Sequence, residues 1–265
     1  MRRVPFPLVA LLAAPLLLSP LAGCGEGAPA IAPAKPPPPA VPIEAAYLPP
    51  PSVTATKPQG AGLLLTGSAP AEARVRLATP EGQALFATAD SKGVWTLALP
   101  ASTEPRIFGL SASAGERQLQ GEGYVLLTPA GEAVMLRAGT GAVRIGRAGN
   151  NGLDVVDFDR EGGAVISGRA PAGAPLSIHI NGRQLAEGRA DASGRYAVAL
   201  TQQPLAGGVH QVDVFGDATE NTANIDTTPA APLASGPFRA TNVPAGLRID
   251  WMTPGGGAQS TIILK

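Results

Sequence analysis

The chain has almost no cysteine: Cys24 is the only one in 265 residues. A single cysteine cannot form an internal disulfide, so any folded domain must be stabilised by packing and hydrogen bonds. Zinc sites built from cysteine and histidine need several such ligands close together, and the sequence contains no such cluster. We therefore expect no cofactor.

Histidine is nearly absent as well, with only His179 and His210 present. A Ser-His-acid or Cys-His catalytic site needs a histidine beside a nucleophile. His179 lies between Ile178 and Ile180 in an alternating segment, which predicts a position on the wet face of a strand, and His210 opens another strand. Neither histidine adjoins a nucleophile motif, so we expect that the protein is not an enzyme.

The chain also lacks an excess of charge of either sign, since 20 Lys and Arg residues balance 20 Asp and Glu residues. Removal of a leader that contains Arg2 and Arg3 leaves 18 basic residues and a net charge of about −2. Binding to a phosphate backbone or to an anionic membrane surface requires basic surfaces. We therefore expect no nucleic-acid partner and no electrostatic attachment to a membrane.

Aromatic residues make up only 4% of the chain, and long helical stretches rich in Leu, Glu and Lys are missing. The chain is instead rich in glycine, with 33 residues, and in proline, with 28. Both residue types favour turns and interrupt helices. This composition is typical of an all-β chain with many turns.

The first residues are organised like an export signal. Arg2 and Arg3 precede an uncharged, leucine-rich run from Val4 to Leu21. The alternative is a transmembrane helix, which needs about 20 consecutive apolar residues. Prolines at positions 5, 7, 15 and 20 interrupt the run and argue against a spanning helix. We therefore assign residues 1–23 to a signal peptide.

The apolar run ends in Leu21-Ala22-Gly23-Cys24. This stretch resembles the lipobox of bacterial lipoproteins, in which leucine, a small residue, and glycine or alanine precede the cysteine. The resemblance implies that Cys24 receives a diacylglycerol thioether and that its new amino group receives an acyl chain such as palmitate. Several acyl chains make membrane attachment stable. Gly25 stands where many inner-membrane lipoproteins carry Asp, which implies an outer-membrane location.

Residues 24–60 are predicted to form a tether between the lipid and the folded part. They include Pro36-Pro37-Pro38-Pro39 and Pro49-Pro50-Pro51, and such segments favour extended polyproline II and cannot pack a core. At about 3.1 Å per residue, the two dozen residues from Ala28 to Pro51 reach up to about 70 Å. A flexible disordered linker and a ligand for a proline-recognising partner are the alternatives.

Two later segments repeat each other at a spacing of 101 residues, from Thr66 to Leu97 and from Ser167 to Val198. Each begins near a Gly-x-Ala-Pro stretch and leads to Ala-Asp-x-x-Gly-x-aromatic, where the aromatic residue is Trp95 or Tyr196. Alternating apolar residues predict strands with one buried and one wet face. The Asp-x-x-Gly segments predict turns with a positive φ at glycine, and we expect the aromatic side chains to anchor the cores.

The repeats resemble bacterial immunoglobulin-like domains of envelope and surface proteins. The resemblance implies an all-β fold with two tandem immunoglobulin-like β-sandwich modules, at residues 61–149 and 150–265. Thr128-Pro129 and Thr253-Pro254 each separate two strand-like stretches, which predicts two hairpins, the second of them at the C-terminal end of module 2. The apolar run Ile262-Ile263-Leu264 predicts a last strand that lies inside a sheet.

Carboxylates offer the only metal possibility. Asp154, Asp157 and Asp159 lie at the predicted junction of the modules, and calcium takes about six to eight oxygen ligands. Further oxygen-bearing side chains follow a predicted strand that ends at Phe215: Asp217, Glu220, Asn221, Asn224 and Asp226. The spacing matches no calcium-loop pattern, so we expect no metal and favour solvated turns.

Arg137, Arg144 and Arg147 allow two interpretations. They form either a basic stripe for an anionic polymer or a solvated strand edge that discourages aggregation. We favour the solvated edge, because Arg144 and Ile145 alternate as on an exposed strand.

These features predict a non-catalytic, lipid-anchored interaction or scaffolding module of the cell envelope, whose partner is another envelope protein or a cell-wall glycan. The alternative is a carbohydrate-binding module for peptidoglycan or exopolysaccharide. Sugar binding needs aromatic ring faces in solvent. Tyr124, Phe238 and Trp251 are therefore the candidate ligand-binding residues.

Overall fold

The computed structural model describes residues 47–146 and 151–265, which form strands and turns without a helix. The all-β prediction is therefore confirmed. No helix in this part of the chain is long and apolar enough to cross a membrane. The signal peptide, Cys24 and the tether up to residue 46 lie outside the described residues, and what was predicted for them stays a prediction.

The strands divide between the two repeats. The first repeat has β1 Ser52–Gln59, β2 Gly62–Ser68, β3 Arg74–Ala78, β4 Ala84–Thr88, β5 Val94–Leu99, β6 Arg106–Ala114, β7 Arg117–Leu127, β8 Ala133–Leu136 and β9 Val143–Ile145. The second has β10 Gly152–Asp159, β11 Ala164–Arg169, β12 Pro175–Ile180, β13 Arg183–Arg189, β14 Arg195–Ala199, β15 Val209–Gly216, β16 Thr219–Asp226, β17 Phe238–Val243, β18 Gly246–Met252 and β19 Ala258–Leu264.

The strands pair into four sheets. In the first repeat, sheet 1 has the order β1-β2-β5 and sheet 2 the order β4-β3-β6-β7-β8-β9. In the second repeat, sheet 3 has the order β14-β11-β10-β19-β18-β17 and sheet 4 the order β13-β12-β15-β16. Sheets 1 and 3 therefore share one pattern, and sheets 2 and 4 share another, so the chain contains two tandem immunoglobulin-like β-sandwiches.

The first strand corrects the predicted boundary of the tether. Strand β1 begins at Ser52, inside the stretch assigned to the tether, and pairs along its length with β2. Val53 is buried, and the Thr56 hydroxyl donates to Gly131 O at 2.9 Å. Pro58 is tolerated because β1 is an edge strand of sheet 1 and needs no partner on its outer side.

The predicted Asp-x-x-Gly turns are confirmed, and both repeats form them with the same hydrogen bonds. Asp90 Oδ1 accepts from the amides two and four residues later, both at 2.8 Å, and Asp191 Oδ1 does the same at 2.8 and 3.0 Å. Gly93 and Gly194 have φ values of 80° and 75°. These two turns fix the approach of the strands that carry the core aromatics.

Each core aromatic packs across from a glycine on the neighbouring strand. Trp95 is paired with Gly67, and Tyr196 with Gly168. A Cβ atom at Gly67 would lie 2.2 Å from the Trp95 ring, and one at Gly168 would lie 2.5 Å from the Tyr196 hydroxyl. The glycine of the Gly-x-Ala-Pro stretch therefore leaves the space that the aromatic side chain fills.

Gly67→Ala tests this pairing. The added methyl group would overlap both the Trp95 ring and Ser52 O, each at 2.2 Å, and overpacking of this kind costs about 1–3 kcal/mol or more. We expect the free energy of unfolding, measured by urea denaturation, to fall by at least that amount. Gly109→Ala is the matched control, since its Cβ would meet no atom closer than 4.0 Å. Equal effects at the two sites would contradict the pairing.

Both Thr-Pro hairpins are present. Thr128 N donates to Glu132 O, and Thr253 N donates to Gly257 O, at 2.9 and 2.8 Å. The hairpins occupy different places in the fold, because β7 and β8 extend sheet 2, whereas β18 and β19 extend sheet 3. Strand β19 pairs with β10 on one side and β18 on the other, so the last strand lies inside the sheet as predicted.

The two sandwiches share a third core. Besides the core inside each repeat, apolar side chains of sheets 2 and 3 pack together in a cluster that we call the junction core. Its buried members are Ile107, Leu126, Val134, Leu136, Ala142, Val155, Ile249, Trp251 and Ile263. Sheets 2 and 3 are thus covered on both faces, and residues Tyr47–Lys265 form one compact unit.

Candidate functional site

The aromatic residues predicted to bind sugar lie at the junction core. Trp251 is fully buried, and its Nε1 donates to the Thr261 hydroxyl at 3.1 Å. Tyr124 packs edge-on against the Trp251 ring with centroids 5.9 Å apart, and Phe238 packs against the same core. This corrects the prediction for Trp251, whose ring faces are not available to a sugar. The three residues join the two repeats because Tyr124 lies on β7 of sheet 2, whereas Phe238 and Trp251 lie on β17 and β18 of sheet 3.

Asp157 lies buried beside the junction core. Its Oδ2 accepts from Ala142 N at 2.6 Å, and its Oδ1 accepts from Gln259 Nε2 at 3.0 Å and from the Thr261 hydroxyl. Gln259 Oε1 in turn accepts from Gly139 N at 3.1 Å. The first repeat therefore donates two backbone amides to side chains of the second repeat, which ties the repeats together with directed hydrogen bonds.

Burial raises the pKa of Asp157 above its ordinary value of 3.8, although hydrogen bonds from Thr261, Ala142 and Gln259 partly offset the effect. The folded protein therefore binds this proton more tightly than the unfolded chain does. The raised pKa of Asp157 therefore adds its full contribution to the free energy of unfolding below pH 3.8. This contribution is lost as the pH rises through the raised pKa.

Asp157→Asn removes this titration. It also places an amide donor against Ala142 N or against Gln259 and Thr261, so we expect a loss of about 1–3 kcal/mol from unsatisfied groups. The stability advantage of the wild type over the variant should be largest near pH 3 and should shrink towards pH 7. Urea denaturation of both proteins across this range measures the difference. A difference that is independent of pH would contradict the raised pKa.

The three candidate calcium ligands are not brought together. Asp157 holds the hydrogen bonds described above, and Asp159 Oδ1 accepts from Gly163 N at 2.8 Å in a turn. Asp154 lies five residues before Asp159 on β10, which corresponds to about 16 Å along a strand. Within residues 47–146 and 151–265, no three His, Cys, Asp or Glu side chains are grouped as metal ligands would be.

Arg144 does not lie on a solvated edge. It is 6% exposed, its Nη2 donates to Leu264 O at 2.6 Å, and its guanidinium lies 3.2 Å from Glu132 and 3.9 Å from Asp154. The prediction of an exposed strand is wrong here, because sheet 3 covers the face of β9 that carries this side chain. Arg137 is half-buried and its Nε donates to Gly141 O at 2.8 Å, while Arg147 lies outside the described residues.

The two histidines are held by structural contacts. The ring of His179 packs edge-on against Phe215 with centroids 5.0 Å apart on the outer face of sheet 4. His210 Nε2 lies 2.8 Å from Ala206 O, and its Nδ1 lies 3.1 Å from Asn181 Nδ2. Donation by Nε2–H to the carbonyl leaves Nδ1 as the acceptor from Asn181. These contacts orient both rings within the second repeat.

A partly buried charge cluster holds the crossover between β16 and β17. Arg248 Nε and Arg239 Nη2 donate to the two carboxylate oxygens of Asp250 at 2.8 and 2.9 Å. Burial alone would raise the pKa of Asp250, but hydrogen bonds from Ser260 and the two arginines together lower it. The same arginines donate to Thr228 O and Ala231 O, so the crossover is held against sheet 3.

An open polar groove of about 590 Å³ lies where the second repeat begins. We call it the carboxamide groove, because three asparagines line it: Asn151, Asn221 and Asn224. Asp154, Thr222 and Lys265 add other polar groups to its wall. The side chains of Asn221 and Asn224 make no hydrogen bond to any described residue, so their carboxamides are available to a ligand.

The sequence contained a signal for the junction core that the prediction of separate modules missed. Short unbroken apolar runs occur at Val155-Val156, Val134-Met135-Leu136 and Ile262-Ile263-Leu264. Such runs are typical of strands that are buried on both faces, whereas half-exposed strands alternate. The amide-rich stretch after Phe215 was also visible, but its proximity to Asn151 depends on the pairing of distant strands.

Comparison with known proteins supports the assignment of the second repeat. Residues 151–231 match the family model of the bacterial Ig domain. The matched segment contains β10 to β16 and ends before β17, so strands β17 to β19 are an addition to the Ig-like unit. No curated protein matches the sequence at a significant level.

Three solved structures show low overall similarity. The BSP domain of a biofilm-associated protein is 16% identical, with 70% of this chain and 30% of that chain covered, at a TM-score of 0.25. The central fibronectin-III array of RIM-binding protein is 13% identical, with 81% and 89% covered, at a TM-score of 0.25. The D0-D1 domain of intimin is 13% identical, with 68% and 98% covered, at a TM-score of 0.24. Values this low carry no functional argument.

Proposed function

We propose that the protein is an exported lipoprotein, anchored through Cys24, whose Ig-like repeats act as a non-catalytic interaction or scaffolding module of the cell envelope. The observation that carries this proposal is the order of the parts, with the lipobox Leu21-Ala22-Gly23-Cys24 at the start and a bacterial Ig-like repeat at residues 151–231. Gly25 after the cysteine favours the outer membrane.

The shared core between the repeats supports a scaffolding role. Tandem domains usually move relative to one another unless their interface is large and hydrophobic. Here the interface contains the junction core and the hydrogen bonds of Asp157 and Arg144. A body of this kind presents its surfaces at fixed spacing, which suits a module that holds a partner. The partner that we propose is another envelope protein or a cell-wall glycan.

Cys24→Ser tests the anchor. We expect the wild type to incorporate labelled palmitate and to sediment with membranes, and the variant to lose the label and appear in the soluble fraction. Gly25→Asp is the matched control, because it keeps the cysteine, and we expect it to move the protein from the outer to the inner membrane. A variant without Cys24 that still carries the label would overturn the proposal.

Capture experiments test the scaffolding role. The full chain in detergent is incubated with solubilised envelope proteins and, separately, with purified peptidoglycan. Saturable retention of one defined envelope protein supports a scaffold. Absence of any saturable retention in both arms counts against an interaction module.

A further inference from the structure

The carboxamide groove has the shape and position of a binding site. It runs along β16, an edge strand of sheet 4, and is bounded by the start of β10 and by the end of β19. The turn between β17 and β18 contributes Pro244 and Ala245 to the opposite wall. The groove is therefore built from parts of the second repeat that are distant in sequence and are brought together only by the fold.

One residue that lines the groove, Asn221, lies against Gly152. A Cβ atom at Gly152 would be in ordinary van der Waals contact with the Asn221 amide nitrogen, at 3.4 Å. Asn221 is half-buried and its side chain has no hydrogen-bond partner among the described residues. Its amide atoms are not among the fully buried polar atoms that lack a partner, so solvent reaches them. A ligand that displaces this water can take over its hydrogen bonds.

The lining indicates the chemical class of that molecule. A carboxamide offers both donors and an acceptor, which match a sugar hydroxyl or an acetamido group. Two side chains of opposite charge line the groove, Asp154 and Lys265, and Asp154 also lies 3.9 Å from the buried guanidinium of Arg144, so these side chains give the groove little net charge to select an ion. The exposed apolar lining is small, with Ala223, Pro244 and Ala245, whereas an added peptide strand uses pockets for its alternate side chains.

We propose that the carboxamide groove binds a short segment of an uncharged, hydroxyl-rich glycan, with Asn221 and Asn224 as the residues that contact it. Recognition rests on hydrogen bonds, because the groove has no aromatic side chain on which a sugar ring stacks. This inference rests on the proposed function in one respect, because the cell envelope would supply the glycan. The binding itself needs no lipid anchor.

Titration calorimetry on the full chain in detergent tests the site. The probes are the β-1,4-linked tetramer of N-acetylglucosamine and cellotetraose, which has hydroxyl groups but no acetamido groups. We expect saturable binding of at least one probe. Tighter binding of the N-acetylglucosamine tetramer indicates contacts with acetamido groups, whereas equal binding of the two tetramers indicates contacts with hydroxyl groups. Both results support the proposal.

Three variants locate the binding. Asn221→Ala and Asn224→Ala should each weaken binding about threefold to tenfold, as expected for the loss of one or two hydrogen bonds. Asn224 is exposed, so its variant keeps the fold even where Asn221→Ala lowers the melting temperature. Asn242→Ala is the matched control, because Asn242 is exposed on β17 and does not line the groove, and this variant should bind like the wild type.

Three outcomes would overturn the proposal. The first is the absence of binding by both tetramers at millimolar concentration, and the second is binding that both groove variants leave unchanged. The third is displacement of the probe by an extended Thr-Ala peptide that binds more tightly, which would assign the groove to strand addition. Cys24→Ser leaves the groove unchanged. If this variant still binds the tetramer, glycan binding does not depend on the lipid anchor, and the two proposals can fail independently.

Discussion

Deletion of residues 246–265 is expected to abolish the soluble, cooperatively folded protein. The deletion removes β18 and β19, so β10 keeps β11 but loses its partner on the other side and becomes an exposed edge. It also removes Ile249, Trp251 and Ile263 from the junction core and uncovers the outer face of sheet 2 in the first repeat. Exposed apolar faces and open strand edges promote aggregation. We expect the truncated chain to be insoluble or to melt without a cooperative transition.

The measurement is the soluble yield together with a thermal melt followed by circular dichroism. Deletion of Lys265 alone is the control, because this residue is exposed and lies beyond the last strand. We expect that control to keep the wild-type melting temperature within a few degrees. A chain ending at residue 245 that is soluble and melts like the wild type would show that β18 and β19 are dispensable.

Trp251→Ala should destabilise the whole described unit by about 3–5 kcal/mol, as for other large aromatic truncations in cores. The side chain is fully buried between sheets 2 and 3, and the variant also loses the hydrogen bond to Thr261 and the edge contact with Tyr124. A unit of this size loses about 2–4 °C per kcal/mol, so the melting temperature should fall by about 6–20 °C.

The chain has two tryptophans, which makes the test specific. In the variant, Trp95 remains as the fluorescent reporter of the first-repeat core. Because sheet 2 takes part in both cores, we expect the Trp95 signal to shift to the same lower temperature. Met252→Ala is the matched control, since this neighbouring side chain is 46% exposed and should have little effect. A Trp95 transition that stays at the wild-type temperature would show that the repeats unfold independently.

Local features of the fold were predictable from the sequence. The Asp-x-x-Gly turns and the two Thr-Pro hairpins depend on residues that are close along the chain. Asp90 and Asp191 cap the same two amides in both repeats. Turn chemistry of this kind is read directly from residue types.

The candidate site was less predictable. Asn221 and Asn224 were recognisable as polar residues after a strand, but the groove exists only because β10, β16 and the end of β19 meet. Likewise, Tyr124 and Trp251 are 127 positions apart in the numbering, and their ring contact depends on how sheets 2 and 3 stack. The pattern of apolar residues within each strand does not indicate which sheet packs against it.

By itself, the sequence determined the all-β class, the 101-residue repeat, the turns and the burial of the last strand, because each follows from local residue chemistry and alternation. Only the tertiary structure decided that the repeats share the junction core, that Trp251 and Arg144 are buried, and that Asp157 joins the repeats. The physical reason is that the apolar pattern of a strand indicates whether one or both of its faces are buried. Which sheet covers those faces depends on packing between segments that are distant in the sequence.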